Sequence, residues 1–210
     1  MCAALLVDTD IFVLLAGAGL LDRTAELLNC SPDDLRRLDP VTHQLRKSKK
    51  FLEKYSAEVR AAALQAARRV RPLTDRPVDD TLLQRLADIP DIEEGDAFLL
   101  ASVAEHPSWL LTTGDRRAII ACATNPEARK VRKAVAGRIV PIETVLRLLV
   151  TTDGIGKIAP AFINVREYDK KLRVIFSEAG STNLEHCLAG IDSNLRSLVR
   201  HVGDDFLYMP

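Results

Sequence analysis

Three short apolar runs punctuate the chain, and each ends in a polar turn. Ala3 to Val7 leads into Asp8, Ser108 to Thr112 leads into Thr113-Gly114-Asp115, and Arg138 to Ile142 leads into Glu143. Short apolar runs bounded in this way read as buried strands. The segments between them follow a helical period. Residues 11–29 are apolar and helical, with an interruption near Gly17 and Gly19. Ser31-Pro32-Asp33-Asp34 combines a Ser cap, a first-position proline and first-turn acids, so a helix is expected to start there. Apolar positions 41, 45, 52, 55, 59, 62, 66 and 70 predict one long helix with Lys and Arg on its other face, ended by Pro72 and Pro77.

Further helices are expected over Asp79–Ala87, Asp96–Glu105, Arg116–Ala123, Pro126–Ala136 and Glu143–Val150, with an acidic loop from Pro90 to Gly95. Strands alternating with helices imply an α/β fold, a parallel sheet covered on both faces. The tail reads differently. Thr152 to Gly156 is a loop, and residues 157–176 show no clear pattern. Thr182 and Glu185 resemble a capping box before an amphipathic helix through Leu184, Leu188, Ile191, Leu195, Leu198 and Val202, which stops at Gly203. The expected organisation is a main domain over 1–150 and a mainly helical extension over 151–210, packed on it.

Composition fits this picture: 210 residues, 47% apolar and 28% charged, suffice for one well-buried domain with an appendage. The net charge is zero, with 29 basic and 29 acidic residues, which argues against a simple polyanion binder. The distribution changes that inference. Net charge runs −5, +8, −8, +6 and −1 over residues 1–35, 36–76, 77–115, 116–138 and 139–210. Acidic blocks beside basic blocks are what a metal site serving a polyanion requires, although solvated helix faces produce the same pattern.

A cytoplasmic location is expected. Cys2, Cys30, Cys122 and Cys187 show neither CxxC nor metal-type spacing and read as buried thiols. Asp8 and Asp10 stand where a signal peptide needs apolar residues, and the longest apolar run, Ile11 to Leu21, is too short to cross a bilayer. His43 and His106 read as surface residues and Trp109 as core.

Three acids stand out by position: Asp8 after the first strand, Asp115 after the second, and Asp96 at a helix start behind Gly95. Ligands of an open α/β sheet collect beyond the carboxyl ends of its strands. Carboxylates gathered there repel one another unless a cation compensates, and Mg²⁺ or Mn²⁺ suits hard oxygen ligands. Each acid also has a plain structural reading as a helix cap or first-turn residue.

Leu5-Leu6-Val7-Asp8-Thr9-Asp10-Ile11 resembles the opening of PIN-domain ribonucleases. Glu94-Gly95-Asp96-Ala97-Phe98 resembles their central helix start, and Leu110-Leu111-Thr112-Thr113-Gly114-Asp115 their Thr-x-Asp strand end. Arg138 to Leu149 is similar to their last strand and helix. The resemblance covers residues 3–150 and leaves the extension outside. It implies a three-layer α/β/α sandwich and Mg²⁺- or Mn²⁺-dependent hydrolysis of RNA without a covalent intermediate. Asp8, Asp96 and Asp115 are then the metal-binding acids, Asp10 a secondary one, and Thr113 the residue that orients the Asp115 loop or a water. Arg116 and Arg117 stand beside them to hold a phosphate. Many such nucleases carry a helical Glu about 35 residues after the first Asp. Here the stretch Leu38-Asp39-Pro40-Val41-Thr42-His43-Gln44-Leu45 has none, leaving Asp39, Glu93 and Glu94 as candidate replacements.

Two other readings stay open. The chain is a non-catalytic RNA- or protein-binding scaffold of the same class, or a phosphatase resembling the haloacid dehalogenases. The phosphatase would use Asp8 as nucleophile and Asp10 as acid/base, with Gly203-Asp204-Asp205 as its last motif. That motif follows an amphipathic helix rather than a buried strand. Partners under the nuclease reading are RNA, an antitoxin or other protein, and a second copy of the chain.

Overall fold

The computed structural model describes residues 2–74, 77 and 79–209. In chain order the first half contains β1 (Ala4–Val7), α1 (Thr9–Gly17), α2 (Leu21–Leu27), β2 (Leu35–Leu38), α3 (Val41–Lys47), α4 (Lys49–Lys54), α5 (Ala57–Arg69), β3 (Arg71–Leu73) and α6 (Asp80–Ala87). The second half contains α7 (Glu94–Glu105), β4 (Trp109–Thr113), α8 (Arg116–Thr124), α9 (Arg129–Val135), β5 (Ile139–Pro141), α10 (Ile142–Asp153), α11 (Ile155–Phe162), α12 (Lys170–Ile175), α13 (Glu178–Thr182) and α14 (Leu184–Val202).

The strands form one parallel sheet of order β3-β2-β1-β4-β5. The central strand β1 is buried throughout, which explains its unbroken apolar sequence. Its register pairs Leu6 with Leu111 and Val7 with Thr112, and β4 in turn pairs Leu111 with Ile139. Alternate side chains feed two cores. Leu5, Val7, Leu110 and Val140 pack with α1, α5 and α10 on one face, and Ala4, Leu6, Leu111 and Ile139 pack with α7, α8 and α9 on the other. Helices therefore cover both faces of an α/β sheet.

Residues 151–210 have no core of their own. Phe162, Phe176 and Ile191 enter the first core, and Leu195, Leu198 and Phe206 enter the second. Gly17 of α1 marks one contact, since a Cβ there would stand 2.7 Å from Val165 Cγ1. After α14, Leu207 bridges to Ile139 at the sheet.

Several local expectations need correction. β2 and β3 were not expected. Leu35-Arg36-Arg37-Leu38 is half arginine, yet Arg37 is buried because it donates to the carbonyls of Ala67, Leu38 and Asp39. β3 lies at the sheet edge, the position that tolerates Pro72. The proposed helix start at Ser31 makes a single 3₁₀ turn, Pro32–Asp34, before β2. The long helix over 41–70 is three pieces, broken where Ser48 and Ser56 adopt extended backbone. Its apolar period survives in part: Val41, Leu45, Tyr55, Val59, Ala66 and Val70 are buried, whereas Ala62 is half-buried and Leu52 is exposed, with Phe51 buried in its stead. The tail helix is capped by Asn183, which accepts from the Glu185 and His186 amides, and not by a Thr182–Glu185 box. Trp109 is only half-buried and stacks on His106 at 3.7 Å.

The cysteine reading also changes. Cys2 and Cys30 form a disulfide, while Cys122 and Cys187 are buried thiols. Sequence spacing conceals the bond, because β1 brings Cys2 beside the loop after α2. Two of the four cysteines thus no longer argue for a reducing compartment. No helix among the described residues is long and apolar enough to cross a membrane.

Candidate functional site

The carboxyl ends of β1, β2 and β4 open onto one cleft of about 550 Å³. Asp8 lines it directly after β1, at the first position before α1, yet its side chain makes no capping bond. Asp115 lines it after β4. One of its oxygens, Oδ1, caps α8 by accepting from the Arg117 amide at 2.8 Å and the Ala118 amide at 3.1 Å. Asp96 enters from the first turn of α7. Thr113 joins two of these acids: its hydroxyl donates to Asp8 Oδ2 at 3.4 Å and accepts from the Asp115 amide at 3.1 Å.

The Asp115 loop can sit this close to α1 because Gly114 has no side chain. A Cβ there would lie 2.8 Å from Ile11 Cδ1. Side-chain absence in a tight approach is a packing requirement, and it fixes where β4 hands over to α8.

The acids feel one another. Burial, followed by the charges of Asp96 and Asp10, pushes the Asp8 carboxyl up to about 7. Burial, followed by the charges of Asp115 and Glu93, pushes Asp96 up to about 6. Both shifts favour the neutral acid, chiefly because burial penalises the charged form and secondarily because neighbouring carboxylates repel it.

The fourth aspartate behaves differently. Asp10 accepts from Lys54 Nζ and from the Tyr55 hydroxyl, each at 2.8 Å. It is engaged with α4 and the residue after it. The three replacement acids separate. Glu93 lines the mouth, exposed and 3.9 Å from Arg117. Glu94 and Asp39 are exposed and do not line the cleft. Nor do Asp204 and Asp205, which the phosphatase reading needs at the site.

The two arginines divide similarly. Arg117 is exposed at the mouth, 3.7 Å from Asp115 Oδ2. Arg116 also lines the cleft, but its guanidinium donates to the Asn194 carbonyl at 2.9 Å and to Ser197 Oγ at 3.1 Å in α14.

Other cleft residues escaped the sequence reading. Lys50 and Lys54 come from α4, and the basic face of segment 41–70 was the available signal for them. Gln44 of α3 lies in the stretch where a helical Glu was sought, and its Oε1 is buried without a hydrogen-bond partner. Tyr168, Asp169 and Lys171 come from the C-terminal extension, where the sequence offered no pattern.

Asp8, Asp96 and Asp115 are hard oxygen donors whose mutual repulsion a cation would relieve, so they fit in kind. Their spacing is looser than a coordination shell. Among the described residues, no group of three or more His, Cys, Asp or Glu side chains is drawn together closely enough to hold a metal ion. Charges interact over longer distances than ligands coordinate, so both observations hold together. In comparisons with known proteins, the chain matches no family model, no curated protein and no solved structure.

Proposed function

We propose that this chain is a Mg²⁺- or Mn²⁺-dependent ribonuclease of the PIN-like type, with a three-layer α/β/α architecture. One observation carries the reading. Asp8, Asp96 and Asp115 come from three separate elements to one cleft, where two of them are held well above the ordinary carboxylate range. Helix capping alone accounts for Asp115 but not for Asp8, which caps nothing.

In this reading Asp8, Asp96 and Asp115 would hold the cation, which when bound would supply an activated water and charge neutralisation at a phosphate. Thr113 keeps Asp8 and Asp115 in a fixed relation. Arg117, Lys50 and Lys54 bind the phosphate backbone as cations at the mouth, without reading sequence. Asp10 holds Lys54 in place and is a weaker candidate ligand. RNA is the substrate, and a toxin-like role with an antitoxin partner belongs to the same proposal.

A non-catalytic scaffold is the second reading. The loose spacing of the acids and the neutral Gln44 in the cleft favour it. RNA cleavage with Mn²⁺ separates the two. The nuclease reading expects wild type to cut, and Asp8→Asn and Asp115→Asn each to lose about a hundredfold or more, as removal of a metal-holding group does. Equal cleavage by all three proteins would remove the assignment. Melting with and without Mn²⁺ gives an independent check, since a ligand that binds only the folded state raises its melting temperature.

A further inference from the structure

The loop that carries Asp115 is held from two sides by the C-terminal segment. Lys171 of α12 places its Nζ 3.0 Å from Glu143 Oε1 and 3.4 Å from the Gly114 carbonyl. Glu143 follows β5 in the first turn of α10 and is 1% exposed. On the other side of Asp115, Arg116 donates to Asn194 and Ser197 of α14, and its Nη1 lies 3.9 Å from the same Glu143. One buried carboxylate thus receives a cation from each side of the loop.

We propose that Lys171 and the Arg116 anchor form a clamp through which residues 166–198 position the Asp115 carboxylate. Lys171 is a positioning residue here. A buried ion pair contributes little net stability, because desolvation offsets most of its attraction. What it fixes is geometry: Glu143 has Lys171 and Arg116 as cationic neighbours, and the same Lys171 ammonium reaches the Gly114 carbonyl. The clamp joins the strand ends β4 and β5 to the tail, so Asp115 keeps its place only while the tail is docked. The catalytic consequence rests on the ribonuclease reading; the mechanical one does not.

The test uses the full chain with Lys171→Met, Lys171→Arg and the double variant Lys171→Met/Glu143→Leu. The double variant replaces the ion pair with apolar groups, so it keeps a folded protein even if the single change leaves Glu143 unpaired and unstable. Amide hydrogen exchange is measured without metal or RNA. The clamp expects exchange of the hydrogen-bonded Asp115, Arg117 and Ala118 amides to rise about tenfold in Lys171→Met and in the double variant, with β1 unchanged, because local opening becomes easier. Unchanged loop exchange in the folded double variant overturns the clamp. For RNA cleavage with Mn²⁺, the expected loss is about tenfold or more in kcat with KM nearly constant, and Lys171→Arg restores most of it. A rise in KM at constant kcat overturns positioning and makes Lys171 a substrate contact. Wild type inert on RNA refutes the nuclease reading while the exchange result still decides the clamp.

Discussion

Lys54 Nζ lies 2.8 Å from Asp10 Oδ2, so one cleft aspartate has a cation of its own while its neighbour Asp8, two residues earlier, has none among the described residues. On the ribonuclease reading, that asymmetry gives the two residues different roles. Asp10→Asn removes the charge partner of Lys54 and weakens the hydrogen bond from Tyr55. Its expected effect is a stability loss of about 1 kcal/mol, typical of a part-buried charged hydrogen bond, and a smaller activity loss than Asp8→Asn. Denaturant melts and cleavage rates on both variants check the ranking; an Asp10→Asn variant as inactive as Asp8→Asn would place Asp10 among the metal-holding acids.

Asp8 itself predicts a pH effect of definite sign. Its carboxyl is raised on folding from 3.8 to about 7, so the folded state holds the proton more tightly than the unfolded state. The resulting stabilisation is complete below pH 3.8 and is lost as pH rises through about 7, with Asp96 contributing in the same direction up to about 6. Asp8→Asn should therefore be more stable than wild type at pH 8, by about 1–2 kcal/mol once partial solvent access is allowed for. At pH 4 the two should melt alike. Thermal melts at the two pH values decide it, and a variant destabilised at pH 8 would contradict the burial cause.

Gly114→Ala tests the close approach behind the Asp115 loop. The new methyl meets Ile11 Cδ1, in a side chain only 2% exposed and therefore slow to yield. Overpacking of this kind costs about 1–3 kcal/mol, and it should displace Asp115. Ile11→Val removes the colliding methyl. The double variant is expected to recover stability, as read by the shift in denaturation midpoint.

The Cys2–Cys30 disulfide closes a stretch with a sequence separation of 28. Closing a loop of that size stabilises by about 3 kcal/mol in the chain-entropy view. Cys2→Ser/Cys30→Ser, or wild type melted in excess reductant, should both show this loss. Equal melting temperatures with and without reductant would contradict it.

The buried strands that carry the site were legible because apolar residues covered on both faces must run without interruption. β1 and β4 announce themselves in this way, and the acids at their ends with them. β2 was not legible, since Arg37 is buried by three carbonyls that only the fold assembles. The breaks at Ser48 and Ser56 were hidden by the apolar stripe that continues across them. Lys171 was hidden for a different reason. Nothing local distinguishes it from the neighbouring Lys170, which is exposed, and only the docking of the tail brings Lys171 to Glu143. Asp10 was legible as an acid near the site, but its engagement with Lys54 and Tyr55 depends on partners more than forty residues away.

The clamp also sets an order in time. Lys171 is synthesised 57 residues after Gly114, and Ser197 81 residues after Arg116. A ribosome releases the strands and their aspartates first and the parts that hold the Asp115 loop last. The growing chain thus passes through a stage in which Asp8, Asp96 and Asp115 are present and the Asp115 loop is still unfastened. On the ribonuclease reading, a nascent chain with its strands exposed would lack the contacts that hold Asp115 in place.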